Sequence, residues 1–170
     1  IKVRIAQVAT RLKDLNKFRF FKKPLILLSF CALAISCEEE RDVVSFNILQ
    51  INDVYEISPS PSDGLGGLAR VANLKKELKQ DNANTIMVLS GDFLNPSFIG
   101  NLKIDSNQRV YGKHMVEVLN AAGLDYATFG NHEFDLPFEV LQRRMDESKF
   151  IWFASTVNRQ IPNGAIPFEQ

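Results

Sequence analysis

Residues 85–97 read TIMVLSGDFLNPS. A short apolar run with no polar alternation stops at Gly91-Asp92, the pattern of a strand covered on both faces, as in parallel sheets. Three other stretches repeat it: VVSFNILQI (43–51), DYATF (125–129) and FIWFAS (150–155), each bounded by Gly, Asn or Asp. Helical periodicity fills the intervals. Residues 66–80 place Leu68, Val71, Leu74 and Leu78 on one face, and residues 112–122 carry Met115, Val118, Leu119 and Ala122 before Gly123 as a C-terminal cap. Residues 137–147 open on Pro137, which suits a first helical turn. Strand and helix in alternation predict an α/β architecture of mostly parallel strands joined by right-handed crossovers. The segments SPSPSDG (58–64) and NLKIDSNQR (101–109) read as loops.

In such sheets ligands bind beyond the carboxyl ends of the strands. Here the first strand ends in Asn52-Asp53, the second in Gly91-Asp92, the third in Gly130-Asn131-His132-Glu133 and the fourth in Thr156-Val157-Asn158. One aspartate after a strand is an ordinary turn residue. Two, with an Asn-His pair on the next strand, place oxygen ligands and an imidazole on one rim. Clustered carboxylates repel one another unless a cation lies between them, which points to divalent metals.

Net charge is zero, yet its distribution is not uniform. Residues 1–36 hold eight Lys/Arg and one acid, Asp14, leaving twelve Lys/Arg and nineteen acids in the rest. An acidic body argues against a nucleic-acid partner. The basic leader reads as an export signal: RFFKK (19–23) precedes the 13-residue apolar run PLILLSFCALAIS (24–36). A membrane-spanning helix needs about 20 apolar residues. Ser36-Cys37, followed by three glutamates, resembles the lipobox of bacterial lipoproteins. The resemblance implies cleavage before Cys37 and acylation of that residue, giving membrane attachment on the periplasmic or surface side of a bacterium. The expected division is a signal peptide over 1–36, whose first 18 residues need not belong to the leader, an acidic tether over 37–42, and a catalytic-domain portion over 43–170. Cys31 and Cys37 are the two cysteines of the chain, so chemistry in the body must use oxygen and imidazole.

INDVY (51–55), SGDFLNPS (90–97) and FGNHEFD (129–135), in this order and with GGLAR (66–70), resemble the calcineurin-like metallophosphoesterases, specifically the N-terminal catalytic domain of the bacterial 5′-nucleotidase family. The resemblance implies a four-layer αββα sandwich, incomplete in this chain, around two divalent ions (Zn, Mn, Mg or Fe). By the same resemblance Asp53 binds the first metal, Asp92 bridges both, and Asn131 binds the second. His132, oriented by Asp135, contacts the phosphoryl oxygen or leaving group. Asn158 matches a site neighbour of the family and also reads as a turn residue. Glu133 reads as a salt-bridge or cap partner, Arg70 as a structural ion pair, and His114 as a surface or boundary residue. The implied activity is hydrolysis of nucleotides to nucleoside and phosphate. A cyclic nucleotide, a nucleotide sugar or another ester is an alternative substrate, and a non-catalytic binding lipoprotein is an alternative of another class.

Two departures stand out. The family pattern at the first strand tip is Asp-x-His, and Tyr55 occupies the histidine position. A phenol has a pKa near 10 and ligates well only as phenolate. Tyr55 is therefore either a ligand with altered metal preference or an aromatic packed beside the site. The family also draws further histidines from later Gly-His motifs, whereas His114 and His132 are the two histidines here. The expectation is the front part of a longer enzyme, lacking turnover and holding metal poorly by itself.

Overall fold

The four apolar runs lie side by side in one sheet. The computed structural model describes residues 2–9, 43–105 and 108–168. The leader beyond residue 9, Cys37 and the tether to residue 42 lie outside the described residues. β1 (Lys2–Ala9) pairs antiparallel with β2 (Ser45–Asn52), in register from Lys2 opposite Asn52 to Ala9 opposite Ser45. β2, β3 (Thr85–Ser90), β4 (Tyr126–Thr128) and β5 (Ile151–Trp152) then follow in parallel, in sheet order β1-β2-β3-β4-β5. β6 (Asn158–Ile161) and β7 (Gly164–Pro167) form a separate antiparallel hairpin.

Three helices connect the parallel strands: α1 (Leu68–Asp81), α2 (Lys113–Ala122) and α3 (Phe138–Glu147). Because the strands appear in chain order, right-handed crossovers place all three on one face. Each helix lies within two residues of its expected limits. Gly123 ends α2 in the left-handed conformation at φ 72° and donates to the carbonyls of Asn120 and Leu119, as its capping role requires. Pro137 stands just outside α3, as its N-cap.

Side chains divide along the strands with period two. Asn47, Leu49 and Ile51 of β2, with Thr85, Met87 and Leu89 of β3, are buried. They join Leu68 and Val71 of α1, Met115, Val116 and Leu119 of α2, and Leu141 and Met145 of α3 in one core. The opposite face is only half covered by the described residues: Phe46, Ile48, Ile86 and Val88 are intermediate, and Ile151 and Phe153 are exposed. One layer of helices on one sheet is thus half of the expected sandwich. The β6–β7 hairpin is separate from this sheet, and just after it Phe168 meets Phe129, Phe134 and Phe138. Among the described residues, no helix is long and apolar enough to cross a membrane.

A polar tie that periodicity does not reveal sits inside this layer. Lys75, on the core face of α1, is buried. Its ammonium donates to the Gly123 carbonyl and to Asp125 Oδ2 at 2.6 Å, and that same oxygen accepts the Met87 amide at 2.6 Å. One carboxylate therefore joins α1, the end of α2 and strands β3 and β4. Removing one partner of a buried pair leaves an uncompensated charge. Asp125→Ala strands the buried ammonium and should lower unfolding free energy by about 2–4 kcal/mol in urea titrations, whereas Lys75→Met leaves a carboxylate that is 32% exposed and still accepts the Met87 amide, and should cost about 1–2 kcal/mol.

Candidate metal and phosphate site

The strand tips meet through their backbones first. The Asp53 amide donates to the Gly91 carbonyl at 3.3 Å, joining the ends of β2 and β3. Asp53 and Asp92 both adopt left-handed conformations, at φ 54° and 59°. Aspartate tolerates this region better than most residues, and it turns each carboxylate away from its strand. Gly91, at φ 78°, packs so closely against Gly130 that a Cβ would collide with the Gly130 backbone. A Cβ on Gly130 would in turn strike Asp92. Glycine at both positions is a condition of bringing the second and third tips together.

What holds them there is Glu133. Its side chain is fully buried, and its two oxygens accept four backbone amides: Asp92 at 2.8 Å, Phe93 at 2.9 Å, Leu94 at 3.1 Å and Gly130 at 2.7 Å. Of the two expected roles the cap is the one seen and the salt bridge is not: both carboxylate oxygens are taken by main-chain donors, and these come from two loops. No local sequence signal marks this role, because three of the donors lie about forty residues upstream.

Around this clamp the chemical groups are arranged. The His132 amide donates to Asp92 Oδ1 at 2.9 Å. His132 Nδ1 lies 2.7 Å from Asp135 Oδ2, which also accepts the Asn95 side-chain amide at 3.1 Å. The carboxylate favours the tautomer with the proton on Nδ1 and leaves Nε2 for another partner. The hydrogen bond to Asp135 raises the imidazole pKa against a smaller opposing effect of burial, with the Asp92, Asp135 and Glu133 charges adding to it. The same bond lowers the Asp135 pKa. Asn131 is exposed and directs no side-chain bond to the turn that follows it. Asn95, which steadies Asp135, was not among the residues expected at the site.

Tyr55 is half-buried and meets His132 edge to face, with ring centroids 6.0 Å apart at 81°. Burial raises the phenol pKa, and the Asp92, Asp53 and Glu133 charges raise it further. The negative field that adds to this rise is one that a cation would neutralise. Asp53, Asp92 and Asn131 supply the hard oxygen donors that divalent ions take. Among the described residues, however, no group of three or more His, Cys, Asp or Glu gathers as an ion-holding cluster. The donor set fits part of a metal centre.

Asn158 opens β6 opposite Pro167 instead of ending the fourth strand, and among the described residues no side-chain hydrogen bond joins it to the other groups. Arg70 is also corrected: its guanidinium donates to the carbonyls of Gly64 and Gly66, at 3.2 Å for the latter, and so secures a loop where an ion pair was expected. His114 is half-buried on α2, with Nε2 3.1 Å from Ser97 Oγ. Beside Asp53 and Tyr55 opens a cavity of about 510 Å³, walled by the loop Ser58–Gly67.

Carboxylates, an amide and a carboxylate-oriented imidazole at the carboxyl edge of a parallel sheet define an α/β domain of the kind that binds its ligand at that edge. The chain belongs to the calcineurin-like phosphoesterase family, whose profile matches residues 46–166. An uncharacterised protein of the pqq-V 5′ region in Acinetobacter calcoaceticus is 29% identical over 157 residues, covering 76% of this chain and 73% of that protein. The trifunctional nucleotide phosphoesterase YfkN of Bacillus subtilis is 26% identical over 149 residues, 79% of this chain and 10% of its own length. A 2′,3′-cyclic-nucleotide 2′-phosphodiesterase/3′-nucleotidase of Yersinia enterocolitica is 27% identical over 150 residues, 81% of this chain and 22% of that protein. The chain thus spans a small fraction of the latter two. Among solved structures, the calcineurin-like phosphoesterase YfkN of Bacillus subtilis matches with a TM-score of 0.54 at 21% identity, over 73% of this chain and 40% of that one. These likenesses agree with the fold expected from the strand-tip motifs, of which this chain carries part.

Two measurements probe the geometry. Glu133→Gln keeps the shape but turns an amide NH₂ toward backbone donors; it should cost about 3–5 kcal/mol of stability, since each hydrogen bond to a charged group is worth about 1.5–3 kcal/mol. In NMR titration His132 should show a pKa above 6.5 that falls toward 6.5 in Asp135→Asn. The signs follow from linkage: the raised His132 value gives stability present below 6.5 and lost as pH rises through the folded value, and the lowered Asp135 value gives stability present above 3.8 and lost as pH falls through its folded value.

Proposed function

We propose that this chain carries part of the active site of a metal-dependent phosphoric ester hydrolase that acts on nucleotides as a 5′-nucleotidase. The observation that carries the reading is the His132–Asp135 pair held by the Glu133 clamp beside the Asp53 and Asp92 carboxylates. Nucleotides enter because the Bacillus relative is described as a trifunctional nucleotide phosphoesterase and the Yersinia relative as a 2′,3′-cyclic-nucleotide 2′-phosphodiesterase/3′-nucleotidase.

Asp53, Asp92 and Asn131 would hold the cations. When bound, divalent ions supply charge neutralisation for the phosphate and an attacking water whose pKa is lowered to about 7. The chain's own residues do the rest. Asp92 Oδ1 fixes the His132 backbone, Asp135 fixes its ring, and Nε2 is left to stabilise charge on the phosphoryl oxygen or to protonate the leaving alkoxide. Tyr55 supports the imidazole from the side while remaining a phenol. Anchoring through an acylated Cys37 would place this chemistry outside the cytoplasmic membrane; labelled palmitate should enter the wild type and not Cys37→Ala.

With the remaining metal ligands supplied by a longer chain and Mn²⁺ or Zn²⁺ bound, AMP should be hydrolysed in preference to UDP-glucose or a cyclic nucleotide. His132→Ala should lower kcat by about 10²–10⁴ with metal content unchanged, as for loss of an acid–base group. A parallel loss of metal would count against this role, and an absence of metal-dependent hydrolysis of any ester would favour a binding function. Tyr55→Phe should leave metal identity and affinity unchanged if Tyr55 only packs beside the site; a loss of metal on removal of the hydroxyl would make the phenol a ligand.

A further inference from the structure

A group that orients another must itself be held by something other than its partner. Asp135 fixes the His132 ring through a 2.7 Å contact to Nδ1, yet its own side chain is 51% exposed and stands at the end of a single 3-10 turn. A carboxylate free in water at that position would turn among its rotamers and release the imidazole. The second contact to the same oxygen comes from outside the turn: the Asn95 side-chain amide donates to Asp135 Oδ2 at 3.1 Å.

We propose that Asn95 is a positioning residue of the reaction, the outer member of an Asn95–Asp135–His132 relay that sets the tautomer and the direction of the imidazole. The inference rests on the phosphoesterase reading above and adds to it a residue that acts through Asp135.

Three observations carry it. The first is the chemistry of the contact. An ionised carboxylate only accepts, so the Asn95 amide presents its NH₂ to Asp135. Both donors meet one oxygen, Oδ2, and a carboxylate that swung away would break both bonds at once. The second is how Asn95 is held. The amides of Asp92, Phe93 and Leu94, the three residues before it, are bound by the Glu133 oxygens, and Phe93 and Leu94 are buried. Ser97, two residues on, is buried as well, and its carbonyl accepts the Asn101 amide at 3.3 Å and the Asn101 side chain at 3.0 Å. Asn95 is half-buried between these fixed points, so its short side chain has little freedom to lose in holding Asp135.

The third is reciprocity. Glu133 and Asp135 belong to the same 3-10 turn, His132–Asp135. Glu133 reaches from that turn to the main chain after β3, and Asn95 reaches from the segment after β3 back to Asp135. The first link decides where the imidazole stands. The second decides which way it faces, because it fixes the carboxylate that binds Nδ1. Tyr55 meets the ring edge to face and limits its tilt, but such a contact does not choose between the two nitrogens.

Nitrogen-15 spectra of the full chain at about pH 9, well above the ordinary imidazole range, read the tautomer of the neutral ring directly. In the wild type His132 should carry its proton on Nδ1. Asn95→Leu, which keeps the volume and removes the donor, should shift the tautomer ratio toward Nε2 by about threefold or more, part of what a charge-assisted hydrogen bond supplies. Asn95→Asp, which sets a like charge beside Asp135, should shift it at least as far, and Asn95→Gln, which retains an amide, should recover the wild-type ratio in part. In an Asp135→Asn background Asn95→Leu should change nothing further, since the relay acts through the carboxylate. Unchanged amide signals of Phe93, Leu94 and Gly130 identify a folded variant; should Asn95→Leu fail to fold, the isosteric Asn95→Asp decides alone. A wild-type ratio in the folded variant, or the same shift with and without the Asp135 carboxylate, overturns the proposal. The readout needs neither metal nor ester, so it separates from the underlying reading. Hydrolysis of AMP by a longer chain, with the tautomer ratio unmoved in Asn95→Leu, keeps the hydrolase and overturns the relay. A shifted ratio without metal-dependent hydrolysis of any ester overturns the place of Asn95 in a reaction.

Discussion

The Glu133 carboxylate is the interaction on which the arrangement depends. Four amide dipoles converge on one buried anion, three from the turn after β3 and one from the turn after β4. A charge removed from water is costly unless it is fully hydrogen-bonded, and here the backbone supplies the bonds. The consequence is positional. Asp92 and His132 flank residues whose main chains are pinned, so their side chains are placed by the fold and not by their own rotamer preferences. The abutting glycines complete the constraint, because the clamp closes only where both turns can touch.

From that point the electrostatics of the rim follow. Asp53, Asp92 and Glu133 concentrate negative charge at the edge of the sheet; this adds to the rise in the Tyr55 pKa caused first by burial, and Asp92 and Glu133 add to the rise in the His132 pKa caused first by the Asp135 hydrogen bond. Tyr55 holds its proton more firmly, as does His132 through Asp135. A cavity of about 510 Å³ walled by the Ser58–Gly67 loop opens beside Asp53 and Tyr55.

Much of the fold was legible because the signals were local. Apolar runs bounded by Gly and Asp mark β2 to β5, and the spacing of Leu68, Val71 and Leu74 marks α1. Lys75 escaped notice because a lysine on an apolar stripe reads as an intrusion until Asp125 and the Gly123 carbonyl are brought beneath it. The β6–β7 hairpin was missed for a related reason. NRQI and GAIP are short and weakly patterned, and β7 is exposed along its whole length, so no buried face records a period. Asn158 was placed at a strand tip that the sheet never extends to reach.

What the sequence by itself determined is the order of strands and helices and the set of chemical groups at the strand ends, since both follow from periodicity and from the residues that break it. The His132–Asp135 contact was implied by the family resemblance of FGNHEFD, and the 3-10 turn His132–Asp135 is what brings the two side chains together. Only the tertiary structure decided that Glu133 is a clamp, that Arg70 braces a loop, and that Tyr55 packs against His132. Those outcomes rest on backbone donors, carbonyls and a ring face contributed by distant segments. Such partners carry no side-chain identity that a sequence could display.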